Sequence, residues 1–260
     1  MAELQYCKIL KTKINVTNMT DTLAYIGAHI DALRGQYICV SNVHTTVMSY
    51  EKKDYRTIQN SAAMALPDGA PLSGYSRIVG FPDAERVTGP DLMTQLFKIS
   101  AQKGYRHFFY GATQETLDDI KAVLQKDYPG LEVAGMYAPP FRPLTPEEDG
   151  QVTALINSAK PDFIWVGLGA PKQEEWMYAH RGKLCAVAVG VGAGFDYLAG
   201  HIKRAPRFMQ RLCLEWLYRL LQDPRRLWKR YVTTNAKFVW YLSKERRRTK
   251  KGSKAKRDKV

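Results

Sequence analysis

The stretch Trp165-Val-Gly-Leu-Gly-Ala-Pro-Lys-Gln-Glu-Glu-Trp176 is the most informative part of this sequence. It passes from an apolar, strand-like segment through two glycines and a proline into a predicted helix. Where a parallel strand ends and a helix begins, the first N–H groups of the helix are unpaired and can bind an anion. The stretch therefore predicts either a binding site for a phosphorylated small molecule or an ordinary corner between a strand and a helix.

The residue types within this stretch fit both interpretations. Gly167 and Gly169 allow a ligand to approach the backbone closely, and Pro171 suits the first turn of a helix. The polar residues that follow are the candidate ligand contacts: Lys172, Gln173 and Glu174.

Strand-like and helix-like segments alternate along most of the chain. Helix-period segments separate the apolar, β-branched or aromatic runs, which lie at Tyr37–Val43, Arg106–Tyr110, Leu131–Ala134, Asp162–Gly167 and Leu184–Val191. This alternation predicts an α/β fold with a mainly parallel, Rossmann-like sheet and helices on both faces.

The charge of the chain is concentrated at one end. The 260 residues carry a formal net charge of +14, and residues 201–260 hold 20 Lys and Arg against four Asp and Glu. Residues 1–200 are almost neutral, with 19 basic and 21 acidic residues. Such asymmetry points to an anionic partner for the basic end: lipid head groups, nucleic acid or a diphosphate substrate.

Cysteines and apolar runs bear on the compartment. The four cysteines are scattered without metal-ligand spacing, which favours reduced, buried thiols in the cytosol and predicts no metal site and no cofactor. The N-terminus lacks the pattern of a signal peptide. The longest apolar run, Leu184 to Phe195, is too short to span a bilayer. We therefore expect a soluble or peripheral protein.

From Pro206 onward, aromatic and aliphatic residues interleave with arginine and lysine. This pattern is typical of a helix in a membrane interface, although helices that pack on the body with a solvated basic face would show it too. We expect three segments: an α/β domain over 1–200, a basic helical appendage over 201–245 and a disordered basic tail over 246–260.

Two further segments carry candidate chemistry. Asp68 lies in the turn Leu66-Pro-Asp-Gly69, directly after an apolar run, and a carboxylate there can act as a general base. The same residue can simply cap the turn, since Pro-Asp-Gly is strong turn chemistry. His44 in Ser41-Asn-Val-His-Thr-Thr46 is equally open to a structural or a binding role.

Together the motifs of this chain resemble one bacterial family, the WecG/TagA/CpsF glycosyltransferases, which extend lipid-linked sugars during synthesis of cell-surface polymers. The resemblance runs from about Ile14 to Tyr231 and is less specific for the substrate than for the family. Eight motifs occur in the family's order: Asn42-Val-His-Thr-Thr46, Leu66-Pro-Asp-Gly69, Val87-Thr-Gly-Pro-Asp91, Phe109-Tyr-Gly111, Val166-Gly-Leu-Gly-Ala-Pro-Lys-Gln-Glu174, Gly190-Val-Gly-Ala-Gly-Phe-Asp196, Arg204-Ala-Pro206 and Leu214-Glu-Trp-Leu-Tyr-Arg219.

The resemblance implies an inverting, metal-independent transferase at the cytoplasmic face of the bacterial membrane. It would move a sugar, first of all N-acetylmannosamine, from a UDP-sugar donor to a polyprenyl-diphosphate-linked acceptor. The alternatives are UDP-glucose or another UDP-hexose as donor, a non-catalytic helper of another transferase, and a nucleic-acid-binding protein, for which the sequence contains no known module. A homo-oligomer is left open.

The resemblance also assigns residues to the site. Asp68 matches the family's proposed general base, and Gln173 matches a glutamine at the donor site. Val40 stands where mannosaminyltransferases often have threonine, which leaves the donor in question. The predicted substrate-binding residues are Asn42, His44, Thr45, Gly111, Gly169, Lys172, Gln173, Glu174 and Gly192. A helix-and-turn pattern adds Arg219, Arg226 and Arg230, which either face the acceptor diphosphate or serve surface charge pairing and attraction to anionic lipid.

Overall fold

A computed structural model of the protein describes residues 4–211 and 214–257. The strands are β1 (Tyr6–Ile9), β2 (Thr12–Asn15), β3 (Tyr37–Ser41), β4 (Met64–Pro67), β5 (Arg106–Gly111), β6 (Glu132–Tyr137), β7 (Phe163–Gly167) and β8 (Val187–Gly190). The helices are α1 (Met19–Leu33), α2 (Val43–Glu51), α3 (Lys53–Ser61), α4 (Ala70–Ile78), α5 (Gly89–Lys103), α6 (Gln114–Asp127), α7 (Pro146–Ser158), α8 (Lys172–Ala179), α9 (Gly194–Leu198), α10 (Arg207–Arg211), α11 (Glu215–Gln222) and α12 (Pro224–Arg257).

Six of the strands form one parallel sheet in the order β4-β3-β8-β7-β5-β6. Its two faces bury separate apolar clusters, because successive side chains of a strand point to opposite faces. In β7, Phe163 and Trp165 belong to one cluster, whereas Ile164 and Val166 belong to the other. The predicted α/β fold with helices on both faces of a parallel sheet is confirmed.

An N-terminal hairpin lies outside the predicted elements. Strands β1 and β2 pair antiparallel, with Lys8 opposite Lys13, and their apolar residues face the core. The Asn15 side chain accepts the Ala65 N–H at 2.6 Å and fixes the hairpin beside β4. The hairpin therefore covers the β4 edge of the sheet.

Helix α12 packs against α2, and both helices contribute to the apolar cluster on one face of the sheet, through Phe238 and Val47. Leu227 and Phe238 are buried, and Glu51 of α2 accepts hydrogen bonds from Lys237 Nζ at 2.8 Å and from the Tyr241 hydroxyl at 2.7 Å. The sequence predicts a disordered tail from residue 246, whereas α12 continues to Arg257. Lysine and arginine are good helix formers, which is compatible with this extension.

The structure bears on two expectations, the burial of the cysteines and the lack of a membrane-spanning segment. Cys7 and Cys39 are buried free thiols, but Cys185 is partly exposed, and Cys213 lies outside the described residues. Within residues 4–211 and 214–257, no helix has both the length and the apolar character needed to cross a membrane.

Candidate active site

The candidate site lies at the edge of the sheet where the parallel strands end. Because all six strands run the same way, residues that follow them in the chain meet at this edge. The Asp68 N–H donates to the Ser41 carbonyl oxygen at 2.8 Å, so Asp68 after β4 lies beside Asn42 after β3. The glycine turns after β5, β7 and β8 complete the edge: Gly111, Gly169 and Gly192.

The Asp68 carboxyl is in an unusual electrostatic setting. Burial raises its pKa to about 6, and the negative charges of Glu215 and Asp91 add to this effect. Arg86 and Arg219 lower the pKa but do not cancel the burial. The carboxyl is therefore ionised at neutral pH and basic enough to take a proton from a hydroxyl group in a transition state.

A ladder of four charged side chains stands beside Asp68. Arg86 Nη1 lies 2.7 Å from Glu215 Oε2, and Arg204 Nε lies 3.4 Å from Glu215 Oε1. Arg204 Nη2 also contacts Asp91 Oδ1 at 2.9 Å. Arg86 and Asp91 belong to the α/β body, while Arg204 and Glu215 come from the C-terminal segment. The ladder thus ties that segment to the body at the candidate base.

The sequence analysis assigned none of these four residues to the site, although Asp91 ends the motif Val87-Thr-Gly-Pro-Asp91. Arg204 and Glu215 lie in the motifs Arg204-Ala-Pro206 and Leu214-Glu-Trp-Leu-Tyr-Arg219, which were the available signal. Nothing in the sequence around Arg86 marks it, because its partner Glu215 lies 129 residues further along the chain.

Arg219, one of the three predicted acceptor contacts, faces the candidate base. Its guanidinium carbon lies 5.5 Å from the centre of the Tyr197 ring, and its charge lowers the pKa of Asp68. The Arg219 Nε is buried and has no hydrogen-bond partner among the described residues. A buried N–H without a partner is costly, so a ligand oxygen bound there would satisfy it.

The other two predicted acceptor contacts are Arg226 and Arg230, of which Arg230 acts on His44. Arg230 lies close enough to His44 that its charge, after burial, is the second cause that lowers the pKa of the His44 imidazole. His44 is therefore neutral at pH 7. The side chain of Arg226 lies outside the described part of the structure.

Asn42 and Thr45 form the cap of α2. The Asn42 side chain accepts the N–H groups of His44 at 3.0 Å and Thr45 at 3.2 Å, and the Thr45 hydroxyl accepts the Asn42 N–H at 2.9 Å. This capping box fixes the backbone at the edge of the site. Thr45 is buried in this role, whereas Asn42 is partly exposed at the edge of the site.

Gln173 and Glu174 form a buried pair at the start of α8. Gln173 Nε2 donates to Glu174 Oε1 at 2.7 Å, and Glu174 is fully buried. Gln173 Oε1 has no partner among the described residues and lies near Gly192. A side chain at Gly192, whose φ is +50°, would bring a Cβ to 3.3 Å from this oxygen. The geometry presents the Gln173 carbonyl oxygen to the glycine turn as an acceptor.

The burial of Glu174 predicts a pH-dependent cost to stability. Burial raises the pKa of its carboxyl to about 7, from an ordinary value of 4.5. Between these values the folded protein keeps a proton that the unfolded chain has lost, so stability falls as the pH rises from 4.5 through 7. We expect Glu174→Gln to raise the free energy of unfolding at pH 8 by up to roughly 3 kcal/mol, and much less at pH 5.

Urea denaturation of the wild type and Glu174→Gln at both pH values measures this difference. Glu175→Gln is the matched control, because Glu175 is the exposed neighbour in the same helical turn. The same pH dependence in the Glu174 and Glu175 variants would contradict the assignment.

The remaining predicted residues line the glycine turns. Gly111 has a φ of +124°, and a Cβ there would lie 2.7 Å from the Gly167 carbonyl carbon, so no other residue fits. Gly169 lies in the turn before α8, and Lys172 is the exposed first residue of that helix. The first N–H groups of α8 and the Lys172 ammonium together provide positive charge for a phosphate group.

Chemically, the edge combines a base with groups that bind anions. The charges of Arg86 and Arg219 act on Asp68, and α8 begins directly after the glycine turn that follows β7. No cluster of three or more His, Cys, Asp or Glu side chains with metal-ligand geometry occurs among the described residues. The arrangement suits a displacement in which a hydroxyl loses its proton and a diphosphate departs.

The comparisons with known proteins fit this chemistry. The model of the glycosyl transferase WecG/TagA/CpsF family matches residues 7–252. The relatives include proteins named N-acetylglucosaminyldiphosphoundecaprenol N-acetyl-beta-D-mannosaminyltransferase from Bacillus spizizenii, Bacillus subtilis and Staphylococcus aureus. That of Bacillus spizizenii is 34% identical over 86% of this chain and 84% of its own length. That of Bacillus subtilis is 31% identical over 88% of this chain and 88% of its own length. That of Staphylococcus aureus is 31% identical over 83% of this chain and 82% of its own length.

Fold, site and relatives together define a glycosyltransferase. The match covers nearly the whole chain, from the hairpin to the last turns of α12. This chain belongs to the WecG/TagA/CpsF family, as its motifs indicate.

Proposed function

We propose that this enzyme transfers N-acetylmannosamine from a UDP-sugar to N-acetylglucosamine linked to a polyprenyl diphosphate. The observation that carries the proposal is Asp68, a partly buried carboxylate at the carboxyl edge of the sheet whose pKa is raised by burial and lowered by the charges of Arg86 and Arg219. The names of the relatives support the choice of sugar and acceptor. A product of this kind serves the synthesis of a cell-surface polysaccharide or wall polymer.

In the proposed reaction, Asp68 takes the proton of the acceptor hydroxyl as its oxygen attacks the anomeric carbon. The attack comes from the side opposite the departing UDP, so the configuration of that carbon inverts. The α8 N-terminus, the glycine turns and Lys172 meet the charge that develops on UDP. Arg219 faces the acceptor side, where a guanidinium can bind two diphosphate oxygens. With these cations the reaction proceeds without a metal ion.

Val40 bears on the choice of donor. Its side chain packs into the apolar cluster on the α1 and α5 face of the sheet and pairs in register with Leu66. Because the Val40 side chain is buried in this cluster, we do not assign it to the donor. We assign Asn42 and Gln173 to the UDP-sugar instead.

The C-terminal segment is proposed to hold the enzyme on the inner face of the cell membrane. Large apolar side chains are exposed along α11 and α12 among basic residues: Trp216, Leu221, Trp228, Val232, Val239 and Trp240. Such residues enter the interface while Lys and Arg meet lipid phosphates. The division into a body over 1–200, an appendage over 201–245 and a tail over 246–260 is part of this proposal.

The pKa of Asp68 predicts the acid limb of the pH profile. We expect kcat/KM to be constant above about pH 7 and to fall tenfold per pH unit below about pH 6, because protonated Asp68 cannot accept a proton. Initial rates between pH 5 and 8 in buffers of constant ionic strength measure this limb. A rate that is independent of pH over this range would contradict the role of Asp68.

A donor panel tests the proposed specificity. Full-length protein is incubated with a short-chain prenyl-diphosphate-linked N-acetylglucosamine and one UDP-sugar at a time, with and without EDTA, and the product is identified by mass spectrometry and NMR. Transfer of N-acetylmannosamine with inversion, unaffected by EDTA, supports the proposal. Transfer of glucose or another hexose would correct the donor, and no transfer from any donor would favour a helper protein.

A further inference from the structure

A cationic groove shares none of its described lining residues with the candidate site around Asp68. It encloses about 1020 Å³ between the β1–β2 hairpin, α3, α4 and the end of α12. Asn60, near the end of α3, clamps the hairpin by accepting the Lys13 N–H at 2.8 Å and donating to the Lys11 carbonyl oxygen at 3.1 Å. Six basic side chains line the groove: Lys8, Lys11, Lys13, Arg56, Arg246 and Arg247.

Basic side chains outnumber acidic ones in this groove by six to one among the described residues. Glu245 is the one acidic residue among the described residues that line it. Lys8 and Lys13 lie directly opposite each other in the hairpin and are exposed on the same side. Like charges in this position destabilise a strand pair, unless an anion lies between or above them. The hairpin is thus arranged to receive negative charge.

Aromatic and apolar groups accompany the cations. The Lys13 ammonium lies 5.0 Å from the centre of the Tyr6 ring, and the Arg246 guanidinium lies 5.8 Å from that of Tyr75. At the end of α4, Ile78 and the following Val79 are exposed, and Val79 lines the groove. Tyrosine rings and aliphatic groups beside Lys and Arg are typical of a surface at the depth of lipid head groups.

The groove also continues the exposed apolar face of α12. Trp228, Val232, Val239 and Arg246 follow one another at spacings of four, seven and seven residues, which places them on one face of the helix. The three apolar members are exposed, and Arg246 ends the row at the groove. If this face of α12 lies on a bilayer, the groove meets the head-group layer.

We propose that the groove binds the head group of an anionic phospholipid, so that the hairpin as well as α12 contacts the membrane. The inference rests on the proposed membrane association but not on the donor or acceptor sugar. The enzyme then lies on its side, with α12 along the bilayer and both the hairpin and the Arg219 end of the appendage at the surface. Two separated contacts of this kind fix the orientation of Asp68 toward an acceptor in the membrane.

Vesicle flotation with the full-length protein tests this site. Phosphatidylcholine vesicles with and without phosphatidylglycerol are compared for the wild type and for the triple variant Lys8→Gln, Lys11→Gln, Lys13→Gln. We expect the triple variant to bind the anionic vesicles about 100-fold more weakly. The charge-conserving triple variant with arginine at the same positions should bind like the wild type.

The matched control removes three exposed lysines from α5 and α6: Lys98→Gln, Lys103→Gln and Lys126→Gln. Its net charge equals that of the hairpin variant, and we expect it to lose less than about threefold. Equal losses in the two variants would overturn the proposal. It would also be overturned if the hairpin variant kept lipid binding and lost binding to a single-stranded oligonucleotide instead.

Transfer to a water-soluble acceptor separates this inference from the proposed function. The hairpin variant should keep the wild-type rate in that assay, because none of its three lysines belongs to the candidate site. A wild type that binds anionic vesicles through the hairpin but transfers no sugar would refute the proposed function alone.

Discussion

We expect Asp68→Asn to lower kcat by about 10²–10⁴-fold. Asparagine keeps the shape of the side chain but cannot accept the proton of the acceptor hydroxyl. Binding of UDP should change little, because we assign the diphosphate to the α8 N-terminus and the glycine turns. Steady-state kinetics of UDP release, together with calorimetric titration of UDP, measures both effects.

The control for this prediction is Asp127→Asn, which removes an exposed carboxylate near the end of α6. It should have the kinetics of the wild type. An Asp68→Asn enzyme that retains full kcat would exclude Asp68 as the base and leave it as a residue that shapes the turn before α4.

Arg219→Ala should have the second largest effect. Loss of a charged hydrogen-bond donor facing the acceptor diphosphate is expected to lower kcat/KM for the acceptor by about 10- to 100-fold. Because Arg219 lowers the pKa of Asp68, its removal should also move the acid limb of the pH profile to higher pH. A purely structural role of Arg219 would not move that limb.

Two further substitutions serve as controls for Arg219→Ala. Arg219→Lys keeps the charge but not the planar fork of the guanidinium, so it should recover the position of the acid limb and only part of the rate. Arg225→Ala removes an exposed arginine at the start of α12 and should leave both unchanged. Wild-type acceptor kinetics in Arg219→Ala would assign the diphosphate to other cations.

Much of the fold follows from local patterns in the sequence. The central strands are buried on both faces and read as continuous apolar runs, as in Phe163–Gly167. The N-terminal hairpin was missed, because each strand has four residues and only two of those in β1 are apolar and buried. Its stability comes from contacts with β4 and α3, which lie far along the chain.

Some residues of the candidate site could likewise be predicted from the sequence, and others could not. Asp68 and Asn42 could be found from motifs that follow strands, since the carboxyl edge of a parallel sheet brings such residues together. The ladder from Arg86 to Asp91 could not, because a single charged residue in a sequence does not reveal its partner. The two ion pairs that join the body to the C-terminal segment cross 113 and 129 residues of chain.

The position of Glu174 in the core could not be predicted from the sequence. In the sequence it is one of three polar residues after a glycine turn, and all three were predicted to bind a ligand. In the structure it is fully buried and holds the Gln173 amide, whereas Lys172 is exposed. The depth of each side chain depends on how α8 packs against α3 and β8, which no local pattern specifies.

The most direct test of the central claim is the release of UDP by purified full-length protein. UDP-N-acetylmannosamine and prenyl-diphosphate-linked N-acetylglucosamine are supplied together, and each is supplied alone. The account predicts rapid release only when both are present, and its loss in Asp68→Asn. Release at the same rate without the acceptor, or none with both substrates in the presence of lipid, would contradict it.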